Sequence, residues 1–471
     1  MSESLSQKNW PWLLAASVVV IWFASQFVGI DRPITSRPSG TAEDLEALAT
    51  RDDLNVLFVL VDTLRSDRLG AYGYDRDTSP AFDALAEGGI RFGRHLAQSS
   101  WTKSSMASLW TGLYPNRTGV TRLNHGLPDE AEMPAEIFRD AGYRTVGIWR
   151  NGWVSPTFGF AQGFDVYNRP VPSPVPPDIR RANPTVQVGG SDFDAIASAS
   201  EFMMSAGDDR WFAYLHLMDV HEYTYSHETA LFGSTHSDIY DNSIRYVNDA
   251  YTLLEQALIA SRNLDRTIVV IAADHGEAFR ERGIEGHARK VYRETTETPF
   301  IIALPFELDT DVVIPSRTYN VDVWPTLLEL IGLPEMAETD GISRRPEILA
   351  GLEGSDAAEP DEPLHGFAFL DQSWGNATML SLPTVSVIDE PYRYVISHEP
   401  DKLIQEELFD SRADPAELEN ISEREPEVAE RLRQYAEDYL ATQPAWEEEV
   451  PSLELDELEL NHLRALGYAL P

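Results

Sequence analysis

Four stretches of this chain carry side chains that can hold a metal ion, move a proton or attack an ester. Asp62 lies near the end of NVLFVLVDT, Asn55 to Thr63. So β-branched and leucine-rich a run is a strand buried on both faces, and the carboxyl end of such a strand is where open α/β sheets place their ligands. Asp274 and His275 follow RTIVVIAAD in the same way, with Gly276-Glu277 next and Gly286-His287 shortly after. LHLMDVHEY sets Asp219 and His221 just beyond a third strand. Alternate positions of an extended chain point the same way, so these two could reach one ion. Carboxylate oxygens combined with imidazole nitrogens suit Mg²⁺, Ca²⁺, Mn²⁺ or Zn²⁺. A lone aspartate at a strand end is more often a cap or turn former. Several candidate ligands gathered in Asp274-His275-Gly276-Glu277 and Gly286-His287 point instead to a metal or catalytic role. His216, inside its strand, reads as a structural histidine.

The fourth stretch, QSSWTKSSMASLWTGLYPNRTG from Gln98 to Gly119, places hydroxyls in front of a helix. A helix N-terminus carries partial positive charge and draws anionic oxygens, so a hydroxyl there is placed to attack phosphorus or sulfur. Serine and threonine are also the commonest helix caps, so the stretch gains weight only beside the carboxylate and imidazole cluster.

Composition narrows the partners. With 37 Lys+Arg against 77 Asp+Glu, the 471-residue chain has a net charge of -40. That field repels phosphate backbones and excludes nucleic acid as a nonspecific partner, and an anionic substrate must be met by a local cation. The absence of cysteine removes disulfides, thiolate metal sites and cysteine nucleophiles. At 43% hydrophobic and 10% aromatic, the chain can bury a large core.

The elements that must position these residues alternate in type. Strands NVLFVLVDT, YRTVGIWR, WFAYLHL, RTIVVIAAD and TPFIIAL are separated by helical stretches such as SPAFDALAEGG, MPAEIFRDAGY and IRYVNDAYTLLEQALIASR. This is an α/β pattern: a mostly parallel central sheet flanked by helices. The uncharged run from Trp10 to Ile30 is long enough to span a bilayer. Lys8 before it favours a cytoplasmic N-terminus and an exported domain. A cleaved signal peptide would have a shorter apolar region and a small-residue cleavage site. The reading is therefore residues 1–30 as a membrane anchor, 31–53 as a tether and 54–350 as the catalytic domain. The proline-rich segment Arg169 to Pro184 is an excursion near the site rim. Residues 351–445 form a small C-terminal α+β subdomain whose helix runs from Pro426 to Leu440, and 446–471 form an acidic tail. Trp446 to Leu460 holds seven carboxylates and no basic residue, the solvated face of an amphipathic segment.

Together, NVLFVLVDTLRSDRLGAYGY, TSPAFDALAEGGIRF, SSWTKSSMASLWTGLYPNRTGV, LHLMDVHEY, IAADHGE, EGHARKVYRETTETPFII, NVDVWPTLLELIGL and ELFDSRADPAELENIS resemble the sulfatase-like branch of the alkaline phosphatase superfamily, in the family's order from Asn55 to Ile421. The resemblance implies an alkaline-phosphatase-like core and metal-dependent ester hydrolysis. It places the principal metal on Asp62, Asp274 and His275, and the nucleophile, itself a metal ligand, on Thr102. The family's formylglycine motif is Cys or Ser, any residue, Pro, any residue, Arg; here it reads Thr102, Lys103, Ser104, Ser105, Met106. Threonine cannot become formylglycine, the arginine is Met106, and Thr63 replaces the second aspartate of the usual pair. These departures resemble the phosphatase, phosphodiesterase and phosphoethanolamine-transferase relatives, in which an unmodified hydroxyl attacks directly. Asp219, His221 and His287 resemble positions that either complete a second metal site or protonate the leaving group. Lys103 and Lys290 are candidates to compensate substrate charge, with a solvated surface lysine as the alternative reading of each. The expected activity is hydrolysis of phosphate mono- or diesters or phosphonates through Thr102. A sulfatase working without formylglycine and a noncatalytic envelope-binding protein are the alternatives.

Overall fold

The strand Asn55–Val61 lies at the middle of the molecule because its alternate side chains feed two separate apolar layers. Val56, Phe58 and Leu60 join one core, with Trp101, Trp110 and Trp324. Leu57, Val59 and Val61 join the other, with Ala195, Ile244 and Tyr251 of two covering helices. The computed structural model describes residues 36–173, 190–355, 365–376, 379–398, 404–455 and 457–465. Strand order across the main sheet is Glu297–Thr298, Ile90–Leu96, Phe300–Ala303, Thr267–Ala272, Asn55–Val61, Trp211–Leu217, Arg144–Ile148 and Val166–Asn168. Val312–Tyr319 adds in parallel to Ile90–Leu96. The five strands from Thr267–Ala272 to Val166–Asn168 are all parallel, while Phe300–Ala303 runs antiparallel to both neighbours. The sheet is thus mostly parallel, as expected. The long covering helices, Asp192–Ala206 and His236–Ala260, each begin with a capping box, at Ser191 with Asp194 and at Thr235 with Asp238.

The C-terminal subdomain is a four-stranded antiparallel sheet, Gly366–Asp371, Pro383–Asp389, Tyr392–His398 and Ile404–Asp410. Helix Pro426–Leu440 closes it with Ala429, Leu432, Ala436 and Tyr439, an apolar stripe at helical spacing. The subdomain is keyed to the core by charge. Glu297 lies beside Arg317 at 3.2 Å and Arg393 at 3.9 Å, and Arg317 also pairs with Glu390.

Two sequence expectations are corrected. The tether expected over 31–53 is built into the domain from Ser39 onward. Ser39–Gly40 pairs in parallel with Glu307–Leu308, and the helix Ala42–Ala47 starts on a capping box between Thr41 and Asp44. Leu45 and Leu48 are buried in the main core, which outweighs the local proline and glycine signals. The acidic tail is likewise more than a solvated face. Leu453 donates its amide to Asn124 O at 2.8 Å, Pro451 O accepts from Gly126 N at 3.1 Å, and Leu463 is in the core. Its alternating leucines, hidden among carboxylates, supply that grip. The run from Trp10 to Ile30 and most of the proline-rich segment lie outside the described residues. Among the described residues no helix is long and apolar enough to cross a membrane.

Candidate active site

Three chain segments meet at the carboxyl edge of the sheet. Asp62, Asp274 and His275 are fully buried, and one ligand-capable atom from each lies within 4.8 Å of the others. Asp62 Oδ2 is held by Asn151 Nδ2 at 2.7 Å and by His216 Nε2 at 2.9 Å. Asp274 Oδ1 accepts the amide of Thr63 at 3.2 Å. Their other oxygens, Asp62 Oδ1 and Asp274 Oδ2, are buried without a hydrogen-bond partner. Buried carboxylate oxygens left bare cost several kcal/mol by rough reckoning unless a cation takes them. His275 Nδ1 faces the Gly276 carbonyl at 3.0 Å. The ring therefore carries its proton on Nδ1 and offers the Nε2 lone pair to the same point. This donor set fits a divalent ion such as Mg²⁺, Ca²⁺, Mn²⁺ or Zn²⁺.

The charges agree. Burial opposes ionisation of Asp62, yet His221, His216 and His275 outweigh it and hold the carboxyl far below its ordinary range. Burial together with the Asp62 charge pushes Asp274 up. Two like charges so close cannot both ionise cheaply, and a divalent cation relieves the conflict. Thr63 makes the junction by taking φ 63, a left-handed conformation that is strained for a β-branched residue, and its carbonyl is braced by Tyr240 Oη at 2.7 Å.

Thr102 opens the helix Thr102–Thr111, whose N-cap Trp101 makes no side-chain cap bond, so the first amides are left for an anion. Thr102 Oγ1 stands 3.1 Å from His275 Nε2 and 3.4 Å from Asn151 Nδ2. Asn151 cannot turn its amide round, because its Oδ1 accepts the amide of Trp153 at 2.9 Å. Met106, where the family pattern has arginine, is buried in the core.

Beside this cluster, the His275 and His287 rings lie 4.6 Å apart and those of His287 and His221 5.0 Å apart. His287 Nδ1 bonds Glu277 at 2.8 Å. Burial pushes His287 down, but Glu277, Asp62 and Asp274 outweigh it and raise the ring above its ordinary value. Burial brings His221 down to about 4. The two imidazoles are thus pushed in opposite directions, His287 toward its charged form and His221 toward its neutral form.

Three other expected roles, those of Asp219 and His287 as metal ligands and of Lys103 toward the substrate, are not met. Asp219 does not join the metal-capable group: Arg150 takes one carboxylate oxygen at 2.6 Å and the amide of Asp192 the other at 3.2 Å. His287 also lies outside that group, its Nδ1 turned to Glu277. Lys103 does not address a substrate. Its buried ammonium donates to the carbonyls of Leu123 at 2.6 Å and His125 at 2.7 Å and sits 3.9 Å from the Phe158 ring centroid. A helix turns successive residues through about 100°, so Lys103 faces away from its neighbour. Lys290 is half-buried beyond His287, its carbonyl accepting from the Thr295 hydroxyl at 3.0 Å.

Sequence reading missed Asn151 and the part His216 plays. Asn151 follows the strand Arg144–Ile148 at the same sheet edge as Asp62, which was its one available signal. His216 is paired across strands with Leu60, and the alternation in WFAYLHL aims it, with Tyr214, at the Asp62 end. Trp374 of the C-terminal subdomain was also missed. It stacks on Trp101 at 4.4 Å and donates Nε1 to the Ala288 carbonyl at 3.2 Å, while Ala288 N bonds Ser100 O at 2.7 Å. It thereby ties the His287 segment to the residues before Thr102.

Residues 54–333 match the family described as Sulfatase, and 286–442 match that described as N-sulphoglucosamine sulphohydrolase, C-terminal. The chain belongs to the sulfatase family and is a hydrolase of ester bonds. It is 26% identical to an ulvan-active sulfatase of Formosa agariphila over 415 residues, 78% of this chain and 76% of that one. It is 22% identical to a Δ4,5-hexuronate-2-O-sulfatase of Bacteroides thetaiotaomicron over 457 residues, 84% and 90% of the two chains. Among solved structures, a 2-O GAG sulfatase superposes with TM-score 0.66 at 21% identity, covering 83% of this chain and 92% of the other. The phosphonate monoester hydrolase of Agrobacterium radiobacter superposes with TM-score 0.60 at 21% identity, covering 82% and 95%. These likenesses establish the alkaline-phosphatase-like fold.

Proposed function

We propose that this chain hydrolyses monoanionic phosphorus esters, phosphodiesters or phosphonate monoesters, with Thr102 as covalent nucleophile. The observation that carries this reading is an unmodified Thr102 hydroxyl 3.1 Å from His275 Nε2, at a helix N-terminus beside the two bare carboxylate oxygens. A divalent ion held by Asp62, Asp274 and His275 would supply Lewis acidity that lowers the hydroxyl pKa. Thr102 gives up its hydroxyl proton to solvent before attack; its Oγ1 then attacks phosphorus in line, the bond to the leaving oxygen breaks, and His287 gives that oxygen its proton. Now neutral, His287 takes a proton from the water that cleaves the phosphothreonine, which returns both residues to their starting state. Asn151 Nδ2 orients the Thr102 oxygen, and Glu277 keeps His287 protonated.

Charge matching favours a monoanion. Asp62 and Asp274 balance a divalent cation, Glu277 and His287 balance each other, and the helix N-terminus adds only about half a positive charge. Sulfate esters are monoanions as well, and the named relatives are sulfatases, so sulfate-ester hydrolysis through Thr102 is the second reading. The apolar run from Trp10 to Ile30 supports a membrane tether with the catalytic domain outside the cytoplasm.

Acid-quenched enzyme should carry a phosphoryl adduct on the peptide containing Thr102 and no aldehyde. Thr102→Ala should lose turnover by roughly 10³-fold or more, with Thr102→Ser partly active. Full activity in Thr102→Ala, or a sulfate ester turned over faster than every phosphorus ester, would overturn the phosphorus reading.

A further inference from the structure

Most of the cations around the site are already committed. Arg150 is held by Asp192, Asp219 and Glu222, Arg65 by Asp67 and Glu281, and Lys103 by two carbonyls. Arg169 differs. Its guanidinium lies 4.5 Å from the Trp149 ring centroid, and its Nε is buried with no hydrogen-bond partner. Burial draws its pKa down, and no carboxylate among the described residues opposes the shift. In a chain with a net charge of -40, a half-buried guanidinium without an acidic partner among the described residues is a standing imbalance. Guanidinium groups are built for two-pronged recognition of carboxylate and of tetrahedral oxyanions.

Its position gives the imbalance a use. Arg169 follows the strand Val166–Asn168, which pairs in parallel with Arg144–Ile148 so that Asn168 lies against Ile148. Arg169 thus leaves the same sheet edge beside Trp149, two residues before Asn151 in the neighbouring segment. From strand spacing and rise, its backbone lies on the order of 10–15 Å from Thr102. Trp149 packs with the core layer that includes Trp101 and Trp153, so Arg169 sits on the face that carries the nucleophile helix.

We propose that Arg169, seated on Trp149, is an anion-recognition point for a second charged group of the substrate. The preferred substrates are then esters whose alcohol part carries a carboxylate or a further oxyanion one or two rings from the scissile bond. This rests on Thr102 marking the reacting centre, and the test is arranged to separate the two.

Binding is measured by calorimetry in full-length Thr102→Ala protein, which needs no turnover. The probes are phenyl methylphosphonate, its 4-carboxyphenyl counterpart and the 4′-carboxybiphenyl counterpart, with the matching sulfate esters as a second set. With Arg169 present, a carboxylated probe should bind roughly tenfold more tightly than its plain parent, the size of one partly desolvated charge pair. Arg169→Met should bring the ratio to about one, and Arg169→Lys should retain part of it. An unchanged ratio in Arg169→Met, or no carboxylate preference in its presence, would overturn the proposal. In the wild-type chain, kcat/KM ratios for the same probe pairs should move in parallel. Failure of the adduct at Thr102 would sink the nucleophile reading while leaving the binding comparison intact.

Discussion

Ser105, one turn into the helix that Thr102 opens, donates its hydroxyl to the backbone carbonyl of Asp274 at 2.5 Å. The bond ties the helix that Thr102 opens to the strand end that carries Asp274 and His275. A displacement of either is felt by the other.

The first prediction concerns the bare carboxylates. Asp274→Asn should abolish stoichiometric binding of Mn²⁺ or Zn²⁺, read by elemental analysis after desalting, and with it activity. The same variant, stripped of metal, should melt above the metal-free parent, because a buried repulsion with Asp62 has been removed. A variant that still binds metal fully would refute the ligand assignment.

The second concerns Asn151. Its Nδ2 serves the charged Asp62 and faces Thr102, and the loss of one hydrogen bond to a charged group is worth about 1.5–3 kcal/mol. Asn151→Ala should therefore lower kcat roughly ten- to hundredfold at nearly constant KM. A change confined to KM would assign Asn151 to ground-state binding instead.

The third concerns where the folded domain starts. A chain beginning at Arg37 keeps Leu45 and Leu48 in the core, whereas one beginning at Leu54 loses both buried leucines. At about 1.5–3 kcal/mol for each buried leucine, the shorter chain should be about 3–6 kcal/mol less stable by urea unfolding. Both should be extractable without detergent, unlike the full-length protein. Equal midpoints would show that the first helix is idle.

The fourth concerns acid. Burial raises Glu297, but Arg293, Arg317 and Arg393 overcome this and hold it below its ordinary value of 4.5. A depressed carboxylate contributes stability that is complete above 4.5 and fades as pH falls through the native value. Melting temperature should therefore fall in that acid window. Glu297→Gln should flatten the fall and lower stability near neutrality, because Arg293 loses its carboxylate while Arg317 and Arg393 keep Glu390 and Glu417. An unaltered acid limb would exclude Glu297 as the titrating group.

Much of this was legible beforehand. Continuous apolar runs such as NVLFVLVDT and RTIVVIAAD announce strands buried on both faces, and residues at their ends reach the site by construction. That is why Asp62, Asp274 and His275 could be placed at one sheet edge, whereas Thr102, at the start of a helix, was picked out only by the family resemblance. Asp219 was misassigned because sequence gives no sight of Arg150, which arrives from another strand and claims its carboxylate. Lys103 was misassigned because the pattern around Thr102 marks the helix without showing which side of it meets solvent. Asn151 had no motif of its own, since its role comes from Trp153 fixing its amide and from two partners distant in the chain.

The grip of the acidic tail has a consequence for how the protein is made. Asn124 and Ser452, joined side chain to side chain, are 328 residues apart. The tail clamps the loop whose Leu123 and His125 carbonyls hold Lys103. A ribosome finishes the helix Thr102–Thr111 and that loop long before it reaches the clamp. Such distant contacts form late in folding. The site is thus braced only once the tail has been made, and shorter nascent chains carry the same residues without that clamp.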